Sequence, residues 1–136
     1  MAKRSCPWGW SHLNGRCFKY FSTCRTWTQA ERDCLSMEAN LASVHNYEES
    51  VYINGLISAS GDGYAEVWIG ATDAQEDNIW FWSDGSKFQD ANWCNNQPNN
   101  FNGNQKCVIM NHGASSCWGD RRCTLTRPYV CVKKNC

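Results

Sequence analysis

The sequence has no surplus of charge, no long apolar run and no catalytic signature. Its 13 basic residues balance its 13 acidic ones, so nothing draws it onto a phosphate backbone or an anionic lipid surface, and nucleic acid is not an expected partner. Hydrophobic residues make up 42% of the chain. Yet no run approaches the roughly 20 apolar residues of a membrane-spanning helix, so membrane insertion is not expected either. The opening MAKRSCP has no apolar signal region and reads as the start of a mature chain, with Met1 added for expression.

Also missing are the G-x-S-x-G elbow, the H-E-x-x-H pair, the P-loop and the dinucleotide fingerprint that mark common enzyme chemistries. The three histidines, His12, His45 and His112, lie far apart and read as surface or capping residues. Carboxylates are scattered, so nothing recommends an acid–base pair. The chain is not expected to be an enzyme. No two cysteines stand in C-x-x-C spacing, which argues against a zinc site. Finally, the stretch WCNNQPNNFNGNQKC, Trp93 to Cys107, contains no carboxylate at all but six Asn and two Gln. Such a segment is built to present hydrogen bonds to something.

What the chain has in quantity is cysteine. Ten of them, Cys6, Cys17, Cys24, Cys34, Cys94, Cys107, Cys117, Cys123, Cys131 and Cys136, in 136 residues is the density of an oxidising compartment. The protein is therefore expected to be secreted and extracellular. A chain of this length fits one domain, able to bury roughly two-thirds of the surface it would expose unfolded.

CPWGWSHLNGRCFKYF alternates apolar and polar residues around a Gly-containing turn, which predicts a hairpin-like start with a first strand through Cys17 to Phe21. TWTQAERDCLSM carries two overlapping capping boxes, Thr26 with Gln29 and Thr28 with Glu31, ahead of a stripe of Trp27, Ala30, Cys34 and Met37; this predicts a short amphipathic helix. Asn46 with Glu49 three residues on, then Tyr52, Ile53, Leu56 and Ile57 before Gly61 and Gly63, predicts a second. EVWIGATD, NIWFWSDGS, CVIM, SCWGD and PYVCV read as short strands. From Asp84 to about Ser116 periodicity is lost, which predicts a long loop clamped by cysteines, the kind of loop that usually carries function. Of the eight tryptophans, Trp8, Trp10, Trp27, Trp68, Trp80 and Trp82 are expected to fill the core. Trp93 and Trp118 border the loop and are either structural pillars or stacking faces.

CPWGWSHLNGRCFKYF, TWTQAERDCLSMEANLASVHNYEE, VWIGATD, WFWSDGSKF, NWCNNQPNN, CWGDRRC and YVCVKK, in this order, resemble a C-type lectin-like domain across essentially the whole chain. ANLASVHNYEES together with WFWSDGSKF is most similar to the fish group that includes galactose-type lectins and type II antifreeze proteins. The resemblance implies an α+β fold with two helices, two small antiparallel sheets and a long disulfide-stapled loop region. Residues 1–136 would form one domain, with 1–5 disordered or a product of expression. It implies bridges Cys6–Cys17, Cys34–Cys131 and Cys107–Cys123, and Cys94–Cys117 would match an additional loop bridge of type II antifreeze proteins and some fish lectins. Cys24 and Cys136 remain, expected to pair with each other or, alternatively, to link two chains; a monomer is the favoured expectation.

Sugar-binding members of the family hold calcium through a Glu or Gln, Pro, Asn or Asp triplet, a Glu just ahead of a cysteine, and a Trp-Asn-Asp triplet. Here these positions are Gln97, Pro98 and Asn99, then Gln105, then Trp118, Gly119 and Asp120. Gln105 keeps an oxygen without its charge, and Gly119 has no side-chain ligand. Calcium takes 6 to 8 oxygen ligands and its affinity follows their charge. With Lys106, Arg121 and Arg122 nearby in sequence, calcium binding is expected to be weak or absent, leaving no cofactor. The accessory positions keep Asp73 and Asp77, but Asn100 and Gln105 stand where further acids would be.

Two functional readings follow for a working face of Gln97, Asn99, Asn100, Gln105, Trp118, Gly119 and Asp120. One is a calcium-independent type II antifreeze-like protein, whose stapled loop presents neutral amides, such as Asn95, Asn96, Asn99, Asn100 and Asn102, to ice. The other is a carbohydrate-binding lectin of innate recognition with weak or no calcium dependence, using Asn and Gln as paired donors and acceptors and Trp118 as a stacking face. Gln97 fits the galactose type and Asn99 the mannose type, so sugar class stays open. A third, plainer alternative is that the Asn and Gly residues serve only as turn formers.

Overall fold

Thr26 stops the chain in extended backbone and turns it into a helix: its side chain accepts from Gln29 N–H, while the Gln29 side chain returns to the Thr26 N–H. Of the two capping boxes the sequence offers, this one is used, and Glu31 is released for work elsewhere. In the computed structural model, which describes residues 6–63, 65–89, 91–99, 103–112 and 116–134, helix α1 runs Trp27–Ser36 and buries Ala30 and Cys34. Helix α2 runs Tyr47–Ala59, capped by Asn46 accepting from Glu49 N–H, and Gly61 takes a positive φ of 88° just past its end. Both helices are where capping and periodicity place them.

Ten elements follow in the order β1 (Ser11–Leu13), β2 (Arg16–Arg25), α1, β3 (Asn40–Leu41), α2, β4 (Val67–Thr72), β5 (Phe81–Trp82), β6 (Cys107–Met110), β7 (Trp118–Arg121) and β8 (Arg127–Lys134). Strands β1, β2, β8 and β3 form one antiparallel group, and β5, β4, β6 and β7 another. The two small sheets the resemblance implies are thus present, but they are continuous: β4 meets β8 in parallel where Trp68 faces Tyr129. Close approach at this seam needs a glycine. A Cβ on Gly70 would lie 2.5 Å from the Leu41 carbonyl oxygen, while Gly70 N–H donates to Ala42 O at 2.8 Å.

One cluster of the core joins α2 to the sheet through Phe18, Ile53, Ile57, Val67, Ile69, Val130 and the rings of Trp82 and Trp118. The other packs α1 through Ala30, Cys34, Leu41, Trp68 and Ile109. Trp27 and Trp68 donate their indole N–H to the carbonyls of Ile69 and Arg25. Trp8 departs from expectation. It is 96% exposed, because it falls in the turn before β1 rather than on a strand, and only Trp10 of that pair packs, between Phe21 and the Lys133 ammonium.

Polar contacts do part of the joining. Arg16 of β2 donates to Ser43 and to the Glu49 carboxylate of α2 at 2.7 Å. Burial alone would push the Glu49 carboxyl up, but hydrogen bonds from Arg16 and the His45 N–H, with the charge of Arg16, hold it below the usual range. Bridges Cys6–Cys17, Cys34–Cys131, Cys94–Cys117 and Cys107–Cys123 all form as the resemblance implies. Cys24 is exposed and in no bridge among the described residues. Its expected partner Cys136, together with residues 1–5, Asn100 and Asn102, lies outside them.

Candidate functional site

Between Trp82 and Cys107 the described chain forms no strand, only an isolated bridge from Trp93 to Trp118. The loop is nevertheless tightly tied. Trp118 N–H donates to Asn92 O and Cys94 N–H to Trp118 O, and the disulfide to Cys117 locks the same crossing. Asn96 takes a positive φ of 64°, a conformation asparagine tolerates better than most residues. The turn is closed by Gln97 N–H donating to Cys94 O at 3.0 Å.

The expected site residues fall into two groups. Gln97, Asn99 and Asp120 come together: Asp120 N–H donates to Gln97 Oε1 at 3.2 Å, and Asn99 N–H donates to Asp120 Oδ1 at 3.1 Å. The two bonds are reciprocal, the loop's Gln97 side chain bonding the backbone of β7 and the Asp120 side chain of β7 bonding the backbone of the loop. Gln105 is half-buried beside them in sequence, just ahead of β6, and Asn100 lies outside the described residues. Trp118, Gly119 and Asp120 are buried. Trp118 is 1% exposed, with its ring edge-on to Trp82 and Trp93 and tilted against Phe88. It is a pillar under the loop, and its faces offer no stacking surface to a sugar.

Gly119 holds a feature that the sequence reading missed. A Cβ added there would lie 2.8 Å from His112 Cγ and closer still to Cδ2. The imidazole therefore fills the space a side chain at 119 would enter. Asn111, at a positive φ of 69°, breaks the strand alternation after β6. His112 N–H then donates to Cys117 O. His112, read from sequence as surface or capping, is instead packed on the position the resemblance assigns to a ligand. The positive-φ Asn just before it is the only local hint.

At the accessory position, Asp73 is 1% exposed. Its Oδ2 accepts from Asn78 N–H at 2.8 Å, while Oδ1 has no hydrogen-bond partner. Burial raises the Asp73 carboxyl above its usual range, opposed by the Asn78 bond and Lys106 and reinforced by Asp77 and Asp120. Lys106 forms an ion pair with Asp77. Arg121, which the sequence places close to the metal positions, turns away to Glu66, as does Arg127.

As a calcium cradle these residues fit poorly. Among the described residues no three His, Cys, Asp or Glu side chains are grouped so as to hold a metal ion. Gln97 and Asp120 already accept backbone N–H groups, and an imidazole stands at Gly119. A dication needs several hard oxygens converging on it, some of them charged, and the side chains present are arranged to satisfy the protein instead.

Comparison with known proteins identifies the family. Residues 23–133 match the family model "Lectin C-type domain". The chain belongs to the C-type lectin-like family. It is 39% identical over 133 residues to ladderlectin of Oncorhynchus mykiss, covering 98% of this chain and 70% of that one. It is 36% identical over 132 residues to the galactose-specific lectin nattectin of Thalassophryne nattereri, covering 97% and 82%. A crystal structure of a calcium-independent type II antifreeze protein superposes with a TM-score of 0.89 at 30% identity, covering 99% of this chain and 98% of that one. These are families of binding proteins, and this lectin-like chain is not an enzyme.

Proposed function

We propose that this chain is a secreted, monomeric, calcium-independent type II antifreeze-like protein that adsorbs to ice through the face of its amide-rich loop. The observation that carries this reading is the way the loop closes on itself. Gln97 Oε1 and Asp120 Oδ1 accept backbone N–H groups, and His112 occupies the space beside Gly119. Two of the side chains through which a lectin would reach a sugar by way of calcium thus bond the protein's own backbone. What remains outward is Asn95, Asn96, Asn99 and Asn104, all exposed, on backbone stapled at Cys94–Cys117 and Cys107–Cys123. Neutral amides on a stiff surface can hold water in a fixed arrangement at a lower desolvation cost than charges. Similarity to the calcium-independent antifreeze protein supports this, and the four disulfides support secretion.

A carbohydrate-binding role with weak or no calcium dependence is the second reading, favoured by the similarity to the galactose-specific lectin and by exposed amides that both donate and accept. Substitution of Asn95, Asn99 and Asn104, all exposed and none at a positive φ, by Ala separates the two. On the ice reading, thermal hysteresis is present in the parent and reduced in the triple variant, with an unchanged melting temperature. A parent without hysteresis that binds a glycan array, and a variant that does not, would replace the ice reading with the sugar one.

A further inference from the structure

The turn ahead of β1 leaves a tryptophan in water. Trp10 N–H donates to Pro7 O at 3.0 Å and Gly9 takes a positive φ of 88°, so Trp8 rides on a tight turn, 96% exposed. The disulfide from Cys6 to Cys17 pins that turn to β2. Two ammonium groups stand beside it. Lys133 Nζ lies over the Trp10 ring, 4.7 Å from its centroid, and Lys19 Nζ lies over the Phe21 ring at 5.2 Å. Lys19 also borders Gly9, where an added Cβ would lie 3.3 Å from its Nζ. Register puts both lysines on one face, because Lys19 is opposite Cys131 in the β2–β8 ladder and Lys133 is two residues on; such diagonal neighbours stand about 7–8 Å apart. Neither forms an ion pair with a carboxylate among the described residues. Glu38 and Lys134 share a cavity with Lys133 and offset each other.

We propose that this turn and its two lysines form a docking surface for an anionic lipid bilayer, which the protein touches without crossing. The balanced composition, 13 basic residues against 13 acidic, predicts no such attraction. A bilayer at contact responds to the charges that face it, however, because the rest are screened beyond about 10 Å at roughly 0.1 M salt. The rings hold the two ammoniums in place and leave N–H donors free for headgroup phosphate or carboxylate oxygens. Trp8 decides between a bilayer and a soluble polyanion. An amphipathic indole this exposed belongs at a headgroup boundary, where one end is apolar and the other wet. A charged polymer in water would partner the lysines but would give the indole no apolar layer. The inference does not rest on the ice reading, because the amide-rich loop takes no part in it.

The test is sedimentation of the disulfide-bonded chain with phosphatidylcholine vesicles, with and without phosphatidylserine, in chelator. The parent should bind only the vesicles that contain phosphatidylserine, and less as salt rises. Lys19→Gln combined with Lys133→Gln should weaken that binding about 30-fold, roughly five-fold for each lysine. Arg122→Gln, which removes an exposed cation beyond β7 at the other end of the sheet from β1, should leave it unchanged. Vesicles with brominated acyl chains should quench the parent's tryptophan fluorescence, and Trp8→Ala should abolish the quenching without changing the melting temperature. A parent that ignores phosphatidylserine, or binding that survives the paired lysine substitutions, would overturn the proposal. So would quenching that Trp8→Ala retains. Capture by heparin without binding to vesicles would also overturn it and assign the lysines to a soluble polyanion. None of these readouts uses hysteresis, and the Asn95, Asn99 and Asn104 variant should bind vesicles as the parent does, so failure here is separable from failure of the proposed function.

Discussion

His112 and Gly119 fit each other as side chain and vacancy: an added Cβ at 119 would fall 2.8 Å from His112 Cγ. Overpacking of this kind typically costs about 1–3 kcal/mol. Gly119→Ala should therefore lower stability by that order, and His112→Ala should remove most of the penalty when combined with it. Chemical denaturation of the four proteins in a double-mutant cycle reads the coupling directly. Additive effects would mean that the imidazole is not what fills the site. The family resemblance implies a ligand position at 119, where the sequence has Gly. It could not show what replaced it, because the contact depends on Asn111 taking a positive φ and folding the next residue back across β7.

The loop is an element held by its crossings rather than by a ladder. Cys94–Cys117 pins the turn carrying Asn95 and Asn96 to the start of β7, enclosing a sequence separation of 23. Replacing both cysteines with Ser should cost about 3 kcal/mol on the chain-entropy account. Hysteresis should fall more than the loss of folded protein explains, measured at a temperature where both forms remain folded. An unchanged hysteresis would mean the loop does not need to be stiff. At this scale much was legible. Thr26 and Asn46 cap the helices they were expected to cap, because capping is decided within four residues. The pairing of the four bridges was legible only through the family resemblance, since ten cysteines alone leave it open. Trp8 was not legible, since alternation through a short turn puts it on a strand that never forms. Neither was the burial of Glu49 at 2% exposure, because its partner Arg16 lies 33 residues away in sequence.

At the scale of the whole molecule, ion pairs and amides tie separate elements together. Arg16 joins β2 to α2 through Glu49, Arg121 and Arg127 converge on Glu66, and Lys106 meets the acidic loop. Gln97 and Asp120 close the amide-rich segment on β7. On the proposed function, the working face acts without calcium. Thermal hysteresis and ice-crystal shape, measured first in calcium and then after chelation, decide whether it does. A freezing gap and faceted crystals that are the same in both conditions are expected. A gap that disappears on chelation, or round crystals with no gap in either, would contradict it.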